Sequence, residues 1–147
     1  MYVPQFDSLL RSIGIDRPTF DRSAKIALPK EMFKLLIQVA LANSDFNKDG
    51  YLKANPDIAE AVRKGAVDDM RMHYIGFGYF EGRSGATPPV DERWYLSTYS
   101  DVAQAVKLGK VASASEHYNV IGGSEGRSPS AEYLPVAEQW KKALVNA

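Results

Sequence analysis

The sequence predicts an all-α protein in which two helical repeats follow one another. Alternating runs of β-branched residues, the pattern typical of strands, nowhere exceed three or four positions. Helix caps, helix-starting prolines and terminal glycines recur instead at the spacing of short helices. In addition, 15 of the 35 residues in 51–85 are identical to those in 95–129, at a constant offset of 44. An offset that holds over so many positions indicates an internal duplication.

The N-terminal region is predicted to hold two helices. Residues 6–13 form a short helix that ends at Gly14, and a second helix runs from Pro29 to about Asn43. The apolar residues of this second helix cover most of its circumference. A helix of that kind is expected in the middle of a core.

The first repeat is predicted to contain a short helical turn at Tyr51-Leu52 and two helices. Asn55-Pro56-Asp57 supplies a cap, a proline at the first helical position and an acid in the first turn, and Gly65 ends that helix. The next helix runs from near Asp68 to near Gly78. The Glu81-Gly82-Arg83 turn closes the unit, with a positive φ at its glycine.

The second repeat shows the same order 44 residues later. Ser113 and Glu116 form a capping box that opens its last helix, which ends at Gly122. A C-terminal helix then begins at Pro135, with Trp140 on its apolar stripe, and is expected to dock on the repeats. One domain therefore divides into an N-terminal helical region, a first repeat, a second repeat and a C-terminal helix, at residues 1–44, 45–88, 89–130 and 131–147.

Composition excludes several functional classes. Lys and Arg equal Asp and Glu at 18 each, so no segment is basic enough for nucleic acid to be the main ligand. Without cysteine there is no disulfide, thiolate nucleophile or zinc–thiolate site. The longest apolar stretch, 32–42, is shorter than the about 20 residues that cross a bilayer. The chain also begins without the basic and apolar regions of a signal peptide. We expect a soluble chain made in the cytoplasm, with no cofactor and no metal.

Two motifs suggest chemistry that their surroundings do not support. Gly122-Gly123-Ser124-Glu125-Gly126 matches the G-x-S-x-G pattern of a hydrolase nucleophile, but a helix rather than a strand is predicted before it. Asp45, Asn47 and Asp49 match the first half of a calcium-binding loop, but the acid required at position 12 is Pro56. A catalytic serine and a weak calcium site stay open as the less favoured alternatives. The favoured interpretations are a helix-ending turn and a turn that leads into the repeat.

His73 and His117 occupy the same position in the two repeats. One histidine per repeat, with no second ligand within helical reach, favours a structural residue over an acid–base group or a metal ligand. We expect a ring nitrogen to bond a backbone carbonyl or a carboxylate of the turn. The turn residues are expected to pair with each other, Glu81 with Arg83 and Glu125 with Arg127.

The repeats differ most where the last helix of each ends. The first has Phe77, Tyr79 and Phe80 at the positions where the second has Ile121, Gly123 and Ser124. The three aromatic residues either pack inside the protein, against the 32–42 helix, or stand exposed as anchors for a partner. In the second interpretation Trp140 is a further anchor.

The repeated sequence resembles a short repeat of many bacterial proteins. Tyr51 to Arg83 and Trp94 to Pro129 both follow its pattern of a Tyr-Leu pair, an Asp-Val-Ala-like helix start, His-Tyr and Glu-Gly-Arg. Similar segments accompany glycosyltransferases and other surface-polysaccharide proteins, and also occur in large secreted calcium-binding proteins. The resemblance covers about 80 residues. It assigns no catalytic residue, and it implies a context at the bacterial cell surface.

The favoured function is a non-catalytic binding or assembly module. Its expected partner is another protein or a second copy of the chain, and the resemblance adds a surface polysaccharide as a further partner. A structural subunit of a phage-like particle, acting as a spike or decoration component, is the alternative, and a chain that runs from Met1 to Ala147 fits it. A hydrolase is the least favoured possibility.

Overall fold

The computed structural model describes residues 2–145, and the side chains of 2–144. The part of the chain that it describes is helical and contains no strand, so the all-α prediction is confirmed. The chain divides into two compact units, Met1–Asn43 and Ser44–Ala147. The repeats and the C-terminal helix belong to the second unit.

The first unit contains three helices. They are α1 (Phe6–Ser12), α2 (Arg17–Arg22) and α3 (Lys30–Ala42). The sequence predicts α1 and α3 but not α2, which begins where the Asp16 carboxylate accepts the backbone N–H of Thr19 at 2.8 Å. Phe6 and Phe20 hold α1 and α2 together through an edge-to-face contact with ring centroids 5.1 Å apart.

Helix α3 corrects one prediction. It forms almost over the predicted range, but none of its residues is buried. The large apolar side chains of Phe33, Leu35 and Leu36 are exposed. The sequence therefore predicts the length of this helix correctly, but the burial that its apolar circumference predicts is wrong.

The second unit repeats its helices at an offset of 44 residues. The first repeat contains α4 (Lys48–Ala54), α5 (Pro56–Arg63), α6 (Met70–His73) and the π-helical segment π1 (Tyr74–Gly78). The second contains α7 (Glu92–Thr98), α8 (Ser100–Lys107), α9 (Ala114–His117) and π2 (Tyr118–Gly122). Every element has a counterpart of the same type and length. The duplication that the sequence indicates is thus also present in the order of the helices.

The π-helical segments were not predicted from the sequence. In each, the closing hydrogen bond spans five residues, from the N–H of Tyr79 to the carbonyl of Tyr74 and from Gly123 to Tyr118, both at 2.9 Å. Such wider turns are rare and occur as short pieces within or at the end of α-helices. Here they extend α6 and α9 without a break.

Helix starts follow the predicted signals with two exceptions. Pro56 is the first residue of α5, and the Ser113 hydroxyl accepts the N–H of Glu116 at 3.0 Å. The Glu116 carboxylate, however, accepts the N–H of Ala112 rather than that of Ser113, so only half of the predicted capping box forms. Asn55, however, does not cap α5 with its side chain. Its buried amide instead donates to the carbonyls of Tyr51 and Ser84, at 2.8 and 3.0 Å, and so ties α4 to the end of the repeat.

Each repeat has its own small core. In the first, Tyr51, Ile58, Met70 and Ala86 are buried together. In the second, the cluster is Tyr95, Val102 and Ala114. Each α-helix of a repeat contributes one apolar side chain to its cluster. Because the clusters are so small, hydrophobic burial within a single repeat barely offsets the conformational entropy lost on folding.

Backbone hydrogen bonds close each repeat on itself. The N–H of Asn47, just before α4, donates to the carbonyl of Ala86 at 2.9 Å, and Asp91, just before α7, donates to Pro129 at 3.0 Å. The segment after each turn therefore returns to the start of its own first helix. The C-terminal helix α10 (Leu134–Val145) follows the second closure. No helix in the described part of the chain is long and apolar enough to cross a membrane.

Candidate functional site

A tyrosine–histidine pair lies at the centre of each repeat. The fully buried Tyr51 of α4 and His73 of α6 are joined through Oη and Nδ1 at 3.1 Å, and Tyr95 and His117 repeat this contact at the same distance. Each histidine thus has a side-chain partner within its repeat, but that partner is a tyrosine hydroxyl. The predicted backbone carbonyl or turn carboxylate does not fill this role at Nδ1.

Burial changes the proton affinity of these tyrosines. It raises the pKa of Tyr95 to about 12, and it raises the pKa of Tyr51 as well. A buried phenol resists ionisation because the phenolate would lose its hydration. Both tyrosines therefore stay neutral to a more alkaline pH than an exposed tyrosine does.

Arg83 connects the turn of the first repeat to its second helix. Its guanidinium donates from Nε to Glu81 at 2.6 Å and lies 2.8 Å, at Nη1, from Asp57 in the first turn of α5. The Asn55 side-chain oxygen accepts a further, longer bond at 3.3 Å. The predicted pair of Glu81 and Arg83 is present, and the contact with Asp57, 26 residues away, makes this arginine more than a local turn residue.

Arg127 forms the same fork in the second repeat. It binds Glu125 at 2.6 Å and Asp101 through two nitrogens at 2.9 and 2.7 Å, and its guanidinium lies 4.9 Å from the ring centroid of Tyr99. The hydrogen bonds from Arg127 lower the pKa of Asp101 to about 2. Each fork therefore ties the turn of a repeat to the second helix of the same repeat through charge-assisted hydrogen bonds.

The three aromatic residues that end the first repeat are exposed. Phe77, Tyr79 and Phe80, which we call the aromatic patch, are 63%, 44% and 38% exposed. Tyr79 contacts Phe80 edge to face at 5.4 Å, and Phe77 lies 6.0 Å from the His73 ring. Within the second unit these side chains are therefore not part of a repeat core. Trp140 lies on α10 and is 52% exposed.

The calcium-like motif does not form a loop. The Asn47 side chain accepts the N–H of Gly50 at 2.9 Å as the cap of α4, and Asp49 lies in the first turn of that helix. Asp45 accepts a hydrogen bond from the Tyr133 hydroxyl. A helix therefore runs through the positions that a calcium loop requires to be irregular. Among the described residues, no three His, Asp or Glu side chains come together in a way that could hold a metal.

Ser124 has none of the surroundings of a hydrolase nucleophile. It follows the π2 segment, and its hydroxyl donates to the Ile121 carbonyl at 2.6 Å. The nucleophile elbow needs a strand before the serine and a helix after it. The G-x-S-x-G match here is a helix-ending turn.

A cleft that sequence reasoning missed lies between the two repeats. Its volume is about 480 Å³. Residues of the first repeat and of the connecting segment form one side, and Ser115 and Asn119 of the second repeat form the other. The aligned repeats contain an indication of this cleft, because Gly50 and Gly85 of the first repeat correspond to the larger Trp94 and Pro129 of the second. Comparison of the chain with family models, with curated proteins and with solved structures found no match.

Proposed function

We propose that this chain is a non-catalytic binding or assembly module whose aromatic patch docks a protein partner. The observation that carries the proposal is the exposure of Phe77 and Tyr79 at a helix end where the second repeat has Ile121 and Gly123. The residues that hold the fold, the Tyr–His pair and the arginine fork, are the same in both repeats. The aromatic patch, in contrast, is present in the first repeat alone.

Exposed aromatic side chains in one cluster favour a protein as the partner. Phenylalanine and tyrosine bury large areas at a low cost in conformational entropy, and they are enriched in the cores of protein interfaces. Met72, exposed on α6, adds a flexible apolar side chain to the same repeat. A bacterial cell-surface or polysaccharide setting for this interaction is supported by the resemblance of the repeats alone.

The test is a pair of matched double variants. Phe77→Ser with Tyr79→Ser removes two rings of the aromatic patch, and Val120→Ser with Ile121→Ser removes two exposed apolar side chains from π2 of the other repeat. Both should keep the circular dichroism and the melting temperature of the parent protein. We expect only the first to abolish self-association in analytical ultracentrifugation, or capture of a partner identified by crosslinking to the parent protein.

Three outcomes would contradict the proposal. The first variant unfolds while the second does not, which would make the patch part of the core. Both variants lose association equally, which would make the loss a general effect of surface polarity. The first variant associates like the parent protein. A closed assembly of fixed symmetry that persists in the first variant would favour the particle subunit over the module.

A further inference from the structure

The cleft between the repeats has the size of a ligand site, and it is an open surface cleft whose polar side chains are reached by solvent. Its 480 Å³ fall within the roughly 300–1,000 Å³ of known small-molecule pockets. One wall is the end of α4 with the connecting segment, which carries Thr87, Pro88 and Pro89, and the other is α9 with π2. The cleft lies within the second unit and opens to solvent.

Four polar side chains line this cleft without a bond to the protein. Among the described residues, no side-chain hydrogen bond or ion pair is formed by Lys53, Ser84, Thr87 or Asn119. The two other polar side chains of the lining are engaged elsewhere. Asn47 caps α4, and the Ser115 hydroxyl donates to Glu92 at 2.5 Å. The available groups are thus an ammonium, two hydroxyls and an amide.

The chemistry of the lining favours one class of ligand. One cation and no carboxylate among the lining residues excludes a metal ion and favours at most one negative group. A single lysine is too little for polyphosphate or nucleic acid. Hydroxyl and amide groups bind ligands rich in hydroxyls, while proline and alanine side chains supply apolar contact for the C–H faces of such a ligand. A sugar unit with one carboxylate meets all of these conditions.

Two glycines of the first repeat, Gly50 and Gly85, lie in the lining of the cleft. A Cβ at Gly50 would lie 2.6 Å from the Gly85 carbonyl oxygen, so the two backbones approach too closely for any side chain between them. In the second repeat, Trp94 at the position of Gly50 instead packs against its own core and contacts the Tyr99 ring at 6.0 Å. The same position of the two repeats is therefore a packed tryptophan in one repeat and part of the open cleft in the other.

We propose that this cleft binds an acidic sugar, such as a uronic acid unit of a polysaccharide, with its carboxylate on Lys53 and its hydroxyls on Thr87 and Asn119. The inference does not depend on the aromatic patch. A protein partner there and a sugar in the cleft would be two separate binding events.

The test is an NMR titration of the full-length, ¹⁵N-labelled protein. The probe is α-1,4-linked trigalacturonic acid, and its fully methyl-esterified form is the neutral counterpart. We expect saturable shift changes confined to the amides around Lys53, 84–87 and 115–119. Sodium acetate at the same concentration should not reproduce them. Because the carboxylate contributes through an exposed ion pair, binding should weaken as salt is added.

Variants separate the cleft from a general charge effect. Lys53→Met and Asn119→Ala should each weaken binding of trigalacturonic acid about tenfold, which corresponds to a charge-assisted or neutral hydrogen bond of about 1.4 kcal/mol. Lys107→Met and Val120→Ala are the matched controls outside the cleft, and they should bind like the parent protein. Shift changes scattered over the surface, equal binding of acetate, or equal loss in Lys53→Met and Lys107→Met would overturn the proposal. The Phe77→Ser and Tyr79→Ser double variant should bind the sugar normally even if it loses its protein partner.

Discussion

Gly78 and Gly122 are the positions at which each repeat has the least room. A Cβ at Gly78 would overlap the hydroxyl of Tyr51 and approach its Cζ atom at 3.2 Å. A Cβ at Gly122 would overlap the hydroxyl of Tyr95 and approach Nδ1 of His117 at 3.2 Å. Both tyrosines are fully buried and bonded to a histidine, so neither ring can move away cheaply. The glycine is therefore part of the Tyr–His arrangement.

We expect Gly78→Ala to lower the free energy of unfolding by about 1–3 kcal/mol, the usual cost of overpacking a core. Gly76→Ala, two residues earlier in π1, is the control, because its Cβ meets nothing within 4 Å. That substitution should be neutral or stabilise by up to about 1 kcal/mol. Urea unfolding followed by circular dichroism gives both values.

The double variant Gly78→Ala with Tyr51→Phe tests the cause. Removing the hydroxyl removes the overlap, so the double variant should lose less stability than the two single losses added together. Additive losses, or a Gly78→Ala variant as stable as Gly76→Ala, would show that the tyrosine hydroxyl does not set the size of residue 78.

Three tyrosines should make the protein sensitive to alkali. Burial raises the pKa values of Tyr74 and Tyr95 to about 12, and the hydrogen bond to Asp45 raises that of Tyr133 to about 12. An unfolded tyrosine titrates near 10. Between these values the unfolded chain releases protons that the folded chain keeps. The contribution of these tyrosines to the free energy of unfolding should therefore be constant from neutral pH to about pH 10 and fall from about pH 10 to 12.

Ultraviolet absorbance of tyrosinate measures this directly. Of the eight tyrosines in the chain, a late group should ionise together with the loss of circular dichroism. Tyr133→Phe should remove one tyrosine from the late group while Tyr95 remains in it. Ionisation of all tyrosines near pH 10 with the fold intact would contradict the prediction.

Among the helices, those with local signals were predictable and those that depend on distant contacts were not. The proline at the start of α5 and the Ser113 cap before α9 set φ angles and backbone hydrogen bonds within one turn, so the sequence alone indicates them. The π closure at the end of α6 has no such local code. It lets Gly78 meet Tyr51, a contact between residues 27 positions apart.

The wrong expectations for α3 and for the histidines have the same physical origin. The apolar residues of α3 predict burial, but burial needs a second surface, which composition does not specify. The histidines are predicted to bond a backbone carbonyl or a carboxylate of the turn, whereas the observed partner of His73 is Tyr51, 22 residues earlier. A usable signal existed, because both members of that pair are identical in the two repeats.

On the scale of the whole molecule, the second unit contains all that the repeats need for folding. Both repeat cores lie between Phe46 and Tyr118, and both closing hydrogen bonds, at Asn47 and Asp91, are internal to it. Tyr133 reaches back across 88 residues to Asp45, and so ties the segment before α10 to the start of the first repeat. In contrast, the core cluster of a single repeat contains only four or three buried residues.

We therefore expect the fragment 44–147 to fold and the single repeat 45–88 to remain unfolded. A chain near 40 residues without disulfides or metals rarely buries enough surface to offset its conformational entropy, whereas about 100 residues suffice. The fragment 44–147 should show helical circular dichroism, one cooperative thermal transition and protected amides at Tyr51 and Tyr95 in hydrogen exchange. The fragment 45–88 should show none of these. A folded 45–88 would mean that each repeat is an independent domain, and an unfolded 44–147 would mean that the repeats need the first 43 residues for stability.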